Sequence, residues 1–354
     1  MKLDFIEIKN VILKDTSVYQ TAPETPIRFC FVGPRGVGKT SLLCSMYQQI
    51  KKNNVDGVYI DIHSAEGAAT SEILNDSLQD MLEMIEETPK GELAALEPSL
   101  KGSQDAITHS FVGVQKVKDN QLIKLTPYKQ FRFDFKFTDM PGQWYDLNEN
   151  NDHKEDAKQY LENSVVSFLA VDTPALVKGP ATCQRNNRVA VIEEWYRNAA
   201  AKLGANKHTV IIVLSRCERY WSQKKLMLEK LKEVYGALID SLKQDGIEVY
   251  VTWIQTLGAI EFSHYEKSRE DDGTRIDHAR FLRCGDEYAP VNCCTPLQLA
   301  LAKGLTRAAD AIDPGVWAKL GFGIKALAKD AATAMAHELE EKIHESDVNT
   351  YKTL

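Results

Sequence analysis

The sequence lacks the features of a membrane-spanning, secreted or nucleic-acid-coating protein. No apolar stretch approaches the roughly 20 residues that a helix needs to cross a bilayer. The opening segment MKLDFIEIKN has neither a basic start nor an apolar core, unlike a signal peptide. The net charge of −7 argues against the broad basic face that nucleic-acid binding requires. These absences predict a cytoplasmic protein with no transmembrane segment and no nucleic-acid partner.

Metal-binding and disulfide patterns are also missing. The 7 cysteines are odd in number, lie mostly inside apolar runs and show no paired CxxC spacing. We interpret them as small buried residues in a reducing compartment. His63, His109, His153 and His208 share no ligand-like spacing, so each is predicted to be a surface or core histidine.

What the chain does have is an alternation of short β-rich apolar runs with longer helical patterns. The clearest strand is KQFRFDFKFTD, residues 129–139, in which every second residue is phenylalanine and the residues between are polar. Other strands are predicted at 27–32, 108–117, 121–125, 165–171, 209–214 and 249–254. Helices are predicted at 39–52, 65–87, 188–203, 224–245 and 296–312. Residues 261–287 are charged and turn-rich, which indicates a long surface loop.

This alternation is typical of a doubly wound α/β fold with a mostly parallel sheet. We expect that domain to cover residues 26–312, with a helical insertion at about 60–105. Residues 1–25 form an N-terminal extension and residues 313–354 a C-terminal helical extension. Within the latter, Gly315–Lys329 mixes apolar residues with lysines, which fits a partner helix, a peripheral membrane contact or a helix packed on the domain.

A phosphate-binding loop is the strongest chemical signal. The sequence GPRGVGKT, residues 33–40, has Walker A spacing, leaves a predicted strand and opens a predicted helix. Backbone N–H groups and the helix N-terminus can then surround phosphates. Lys39 is predicted to reach the β- and γ-phosphates and Thr40 to bind Mg²⁺. The residues predicted to contact nucleotide here are Gly33, Arg35, Gly36, Val37, Gly38, Lys39, Thr40 and Ser41.

A second motif, DMPGQ, closes the phenylalanine-rich strand. Asp139 at the strand end is predicted to join the Mg²⁺ site, as a Walker B aspartate does. The Gly142 amide is expected to face the γ-phosphate, and Gln143 to orient the attacking water. The competing interpretation is an ordinary turn, because Pro-Gly favours turns anywhere.

Together, GxxxxGKT and a strand ending in DxxGQ resemble the translation-factor and Ras-like class of P-loop GTPases. The resemblance covers roughly residues 26–312, since VIIVLSRCE and VYVTWIQTLGA stand where that class carries its two guanine-binding motifs. The resemblance implies Mg²⁺ and GTP or GDP as ligands. The segments TLG and PVNCCTPLQLAL also resemble bacterial double-GTPase families linked to conflict systems, which implies a role in antiviral defence.

The sequence departs from the class at the base and at the catalytic loop. Ser215, Arg216, Cys217 and Glu218 replace the NKxD motif; Glu218 keeps the carboxylate and Arg216 a stem able to stack on a base. Thr256 and Leu257 are the expected contacts in the second base motif. Arg35 stands beside the expected γ-phosphate position. It can act as an arginine finger in cis, block the attacking water, or point to solvent.

The favoured function is therefore a Mg²⁺-dependent GTP switch with slow hydrolysis that signals to a protein partner through switch loops or the C-terminal helix. An ATPase remains an alternative, although VSFLAVDTP supplies Asp172 with a threonine rather than a catalytic glutamate. A nucleotide-dependent scaffold that barely hydrolyses is another. Ser103 and Thr108 are both candidates for a threonine-like switch ligand of Mg²⁺.

Overall fold

The computed structural model describes a large part of the chain. The described residues are 19–20, 26–53, 58–61, 65–94, 105–116, 130–146, 150–269, 275–311, 333, 336–337 and 351–354. The predicted strand at 121–125, the switch candidate Ser103, His63 and the segment Gly315–Lys329 lie outside them.

A mixed sheet of nine strands forms the centre of the described structure. Its strands in chain order are β1 Tyr19–Gln20, β2 Ile27–Val32, β3 Val58–Asp61, β5 Ile107–Lys116, β6 Gln130–Asp139, β7 Val166–Asp172, β8 Thr209–Ser215, β9 Glu248–Trp253 and β12 Tyr351–Thr353. A second sheet consists of β4 Leu93–Ala94, β10 Ile260–Arg269 and β11 Arg275–Arg283.

Helices connect most of these strands. They are α1 Lys39–Asn53, α2 Ala65–Glu87, α3 Asn150–Asn163, α4 Thr173–Lys178, α5 Pro180–Asn186, α6 Val189–Ala205, α7 Lys224–Gln244 and α8 Cys294–Ala311. Two 3₁₀ turns, Gly142–Tyr145 and Glu218–Tyr220, follow β6 and β8. No described helix has the length and apolar character needed to cross a membrane.

The strand order confirms the predicted α/β fold with a mostly parallel sheet. The main sheet runs β12-β9-β8-β7-β2-β6-β5-β3, and the pairings among β2, β6, β7, β8 and β9 are parallel. The chain moves to one side of β2 through β6 and then to the other side through β7. The order therefore reverses beside β2, and in such sheets ligands bind at that crevice, at the carboxyl ends of the strands.

Helices cover both faces of the sheet because successive strand residues point to opposite sides. In β2, Phe29 and Phe31 join the core that includes residues of α1, α2 and α8. Cys30 and Val32 join the other core, with residues of α3, α6 and α7. On β6, the phenylalanines at 133, 135 and 137 are buried, as the alternation predicts, and their rings pack on those of β2, β5 and β7.

Three elements differ from the sequence-based expectation or were not anticipated. The prediction of a surface loop at 261–287 is wrong, because β10 and β11 form an antiparallel hairpin there. Helix α3, in the charged segment NNDHKEDAKQYLEN, is held by buried Ala157 and Leu161 on one face. The C-terminal extension, expected to be helical, ends in an edge strand that pairs antiparallel with β9.

Candidate functional site

The loop between β2 and α1 has the backbone of a glycine-dependent turn. Gly33, Gly36 and Gly38 have φ values of 151°, 78° and 94°. L residues rarely adopt such angles, so a side chain at these positions would strain the loop. Val37 is buried within the loop, and its carbonyl accepts a 2.7 Å hydrogen bond from Ser215 at the end of β8.

Lys39 begins α1 and turns back over this loop. Its Nζ atom donates hydrogen bonds to the carbonyls of Gly33 at 2.6 Å and Pro34 at 3.4 Å. The side chain is only 8% exposed. Burial lowers the pKa of Lys39, while the nearby charge of Asp139 opposes this shift. A buried ammonium is thus held beside backbone carbonyls, where an anionic ligand would complement its charge.

Asp139 reaches the same place from β6. Parallel pairing sets Asp139 opposite Phe31, so the carboxylate lies next to the start of the loop. The Thr40 hydroxyl lies 3.3 Å from its Oδ2 atom. Its Oδ1 atom is buried and has no hydrogen-bond partner among the described residues. Burial raises the pKa of Asp139, and the Lys39 charge and the Thr40 hydroxyl both lower it.

The 3₁₀ turn after Asp139 packs directly on the phosphate loop. A Cβ atom at Gly142 would lie 2.4 Å from both the Cα and the N of Arg35, so only glycine allows this approach. Gln143, in this turn, is half-buried, and Arg35 of the phosphate loop is exposed. The Tyr145 hydroxyl accepts a 3.0 Å hydrogen bond from the Gly33 amide.

Thr108, a candidate switch ligand, belongs to a regular strand. It lies opposite Thr138 in the antiparallel β5–β6 ladder, and their hydroxyls are 3.3 Å apart. Ser41 is half-buried in the first turn of α1.

Arg216 connects the phosphate loop to the second sheet. Its guanidinium donates to Asp172 Oδ1 at 2.9 Å and to the Gly36 carbonyl. The Phe281 ring on β11 covers the guanidinium at 4.9 Å, and the Tyr265 hydroxyl on β10 donates to the other oxygen of Asp172. The sequence predicted Arg216 to stack on a base; here its guanidinium stacks on a phenylalanine.

Glu218 lies beside the other expected base motif. Burial raises its pKa to about 7, whereas hydrogen bonds from backbone amides, including those of Gly258 and Leu257, and the charge of Arg216 oppose that rise. Thr256 and Leu257 are buried, and the Thr256 carbonyl accepts a 2.8 Å hydrogen bond from Ser45 of α1. The second expected base motif is thereby attached to the helix that follows the phosphate loop.

Sequence reasoning missed several residues of this crevice. Tyr145, Tyr265 and Phe281 carried no motif, and Asp172 was considered only as a possible ATPase carboxylate. Asp172 ends β7 opposite Ser215, so a polar residue at the end of a buried strand was the available signal.

The remaining histidines and cysteines supply no metal centre in the part of the chain that the structure describes. All 7 cysteines are free thiols. His208 is buried between the Ser164 carbonyl and the Ser167 hydroxyl, and burial lowers its pKa to about 3. Burial also lowers the pKa of His109, to about 4.

Comparisons with known proteins give a distant structural likeness. No protein-family model matches the chain, and no curated protein matches it. Among solved structures, it is similar to the S. cerevisiae Ski7 GTPase-like domain, which was solved bound to GTP, with 15% identity and a TM-score of 0.36. The match covers 72% of this chain and 46% of that chain, so this chain spans less than half of the Ski7 chain.

Proposed function

We propose that this protein binds a nucleoside triphosphate with Mg²⁺, hydrolyses it slowly and signals its bound state to a protein partner, with GTP as the preferred nucleotide. One arrangement carries the proposal: the buried Lys39 ammonium over the glycine loop, with the Thr40–Asp139 pair beside it. A cation, a ring of backbone amides and a helix N-terminus together suit a chain of phosphates.

The residues also fit Mg²⁺. A hydroxyl and a carboxylate are hard oxygen ligands, and Mg²⁺ is commonly held by one or two such side chains together with substrate phosphates. The unpartnered Oδ1 atom of Asp139 is a buried acceptor that a cation would satisfy. When bound, Mg²⁺ would neutralise charge that develops on the phosphate oxygens. Thr40 and Asp139 are the proposed holders.

The chain's own groups account for the rest of the chemistry. Lys39 is proposed to pair with the β- and γ-phosphates, and the Gly142 amide, held against the Arg35 backbone, to mark the γ-phosphate position. Gln143, in the same turn, is proposed to orient the attacking water. The 7 free cysteines fit the proposed cytoplasmic setting, where thiols stay reduced.

The deciding experiment is a titration of the purified protein with GTP, GDP, ATP and ADP, each with and without Mg²⁺. We expect binding of GTP and GDP at micromolar concentration or below, with triphosphate affinity falling when Mg²⁺ is removed. No binding of any of these nucleotides would refute the proposal, and equal binding of ATP and GTP would favour an ATPase.

Replacing Gln143 with alanine is expected to lower turnover about tenfold and leave nucleotide affinity nearly unchanged, because a water-orienting group acts mainly in the transition state. Single-turnover hydrolysis and equilibrium binding measure the two effects separately. Gln79→Ala, at an exposed glutamine on α2, is the matched control. Equal turnover in both variants would remove Gln143 from the catalytic role.

Replacing Arg35 with alanine is expected to change turnover by less than about threefold, since the side chain is exposed in a loop whose backbone does the binding. A loss of hydrolysis of 10³-fold or more would instead identify an arginine finger in cis, because such fingers contribute about 10³–10⁵ in rate. Faster hydrolysis would identify a steric block to water. The measurement is single-turnover hydrolysis at saturating nucleotide.

A further inference from the structure

Tyr145 ties the turn that carries Gln143 to the first residue of the phosphate loop. Its ring is fully buried and packs on Trp195 of α6, with centroids 4.3 Å apart. Its hydroxyl accepts the 3.0 Å hydrogen bond from the Gly33 amide. Two residues 112 positions apart in the chain are thus joined inside the core.

Both backbone polar groups of Gly33 form hydrogen bonds with side chains. Its amide donates to Tyr145, and its carbonyl accepts the 2.6 Å hydrogen bond from Lys39. Space around it is already filled, because a Cβ atom there would lie 3.0 Å from the Ala170 carbonyl and from a Val37 methyl group. The Tyr145 hydroxyl and the Lys39 ammonium thus bond the two backbone polar groups of a single, closely packed residue.

The neighbours of Gln143 are fixed in the same way. Gly142 abuts the Arg35 backbone, and Trp144 is buried with its ring stacked on His153 at 4.6 Å and an interplanar angle of 6°. Gln143 itself is half-buried between these anchored residues. The turn is therefore attached to the loop and to α3 by contacts within the protein.

We propose that Tyr145 is a positioning residue, which holds the Gln143 turn against the phosphate loop through its hydrogen bond with Gly33. This inference rests on the proposed nucleotide-hydrolysing function. A turn fixed in advance lowers the cost of ordering Gln143 in the transition state.

The Tyr145→Phe variant isolates the hydroxyl. Phenylalanine keeps the ring and its packing on Trp195, while the buried Gly33 amide loses its partner. Burial raises the pKa of Tyr145 well above its ordinary value, so the hydroxyl stays neutral throughout the working pH range. Tyr196→Phe is the matched control: it removes another fully buried hydroxyl, which lies 2.8 Å from the Ser167 hydroxyl and outside the proposed site.

Hydrogen exchange of the nucleotide-free proteins tests the anchor without relying on function. In Tyr145→Phe, we expect amides in segments 33–40 and 141–146 to exchange about fivefold faster than in wild type, since one local hydrogen bond is lost. Tyr196→Phe should leave these segments unchanged. Equal exchange in the two variants would overturn the proposed anchor.

Steady-state hydrolysis tests the positioning role. Tyr145→Phe is expected to lower kcat about fivefold and to change KM less than twofold, a split that general destabilisation does not produce. Faster exchange with unchanged kcat would overturn the positioning role. A wild-type protein that binds no nucleotide would refute the proposed function, and with it the kinetic half of the inference, whereas the exchange result would still decide the anchor.

Discussion

Replacing Lys39 with alanine is expected to lower affinity for Mg²⁺-bound triphosphate at least about 100-fold. Hydrogen bonds to charged groups contribute about 1.5–3 kcal/mol each, and a P-loop lysine makes more than one of them to the β- and γ-phosphates. Each 1.4 kcal/mol is a tenfold change in affinity. Isothermal titration or a fluorescent nucleotide measures the loss directly.

The fold of this variant has to be checked because Lys39 is buried. Lys39→Met keeps most of the aliphatic stem and removes only the ammonium, so it should match the alanine variant in affinity and wild type in thermal unfolding. Lys230→Ala is the surface control, since Lys230 lies on α7 outside the proposed site and pairs with the nearby Glu233. Wild-type affinity in both Lys39 variants would show that the glycine loop does not bind phosphate.

Local sequence patterns were sufficient to predict the centre of the fold and the glycine loop that leads into α1. The buried run Ile27–Val32, the glycines after it and the helix that starts at Lys39 are contiguous, so their geometry follows from local preferences. The strand at Gln130–Asp139 was equally predictable, because phenylalanines alternate with polar residues along it. In both cases the information lies within a few neighbouring residues.

The hairpin β10–β11 could not be predicted in this way. Its strands carry many charged residues, which favoured the prediction of a surface loop. Few of their side chains are buried in the core. Phe262 and Phe281 are buried only because the hairpin folds back on the end of the main sheet. A bulge between Phe262 and His264 also breaks the period-2 pattern that marks a strand.

The side chains around the site escaped prediction for a related reason. Tyr145 contacts Gly33 and Tyr265 contacts Asp172, 112 and 93 positions apart in the chain. Neither tyrosine belongs to a short motif, and no local pattern fixes which distant atom a buried hydroxyl will bond. The need for a partner is predictable from the cost of a buried polar group, but its identity is not.

Arg216 makes a contact that its place in the sequence pattern did not indicate. Its φ angle of 57° places it in the left-handed region, which is uncommon for a residue other than glycine. Its side chain is 14% exposed and bonded to Asp172, which is 3% exposed. The guanidinium is therefore tied to the hairpin as well as to Gly36, which leaves Glu218 as the proposed contact to a base.

At pH 8.5 the protein is expected to prefer GTP over ATP by at least about 100-fold if Glu218 reads the base. Guanine presents two donors to such a carboxylate, and each charge-assisted hydrogen bond contributes about 1.5–3 kcal/mol. Adenine would instead place a ring acceptor against the carboxylate, so neither of these hydrogen bonds would form. Competition of GTP and ATP for the same labelled nucleotide measures the ratio.

The same carboxyl makes the preference depend on pH. Because burial raises the pKa of Glu218 to about 7, the group is ionised above that pH and protonated below it. Only the ionised form accepts from both guanine donors, so GTP affinity should fall about tenfold per pH unit below 7. The thiols of Cys217 and Cys293 near Glu218 do not titrate in this range, since burial raises the pKa of both, to about 12 in Cys217.

Glu218→Gln separates this effect from the titration of the nucleotide itself. An amide keeps the size of the side chain but has one acceptor and no charge, so the GTP to ATP ratio should collapse to within a few-fold while phosphate binding persists. The phosphate groups of the nucleotide titrate in the same way with either protein. Any pH dependence of GTP affinity that the variant retains therefore belongs to the nucleotide. Wild-type protein that binds ATP as tightly as GTP at pH 8.5 would refute Glu218 as the guanine reader and leave the phosphate loop unaffected.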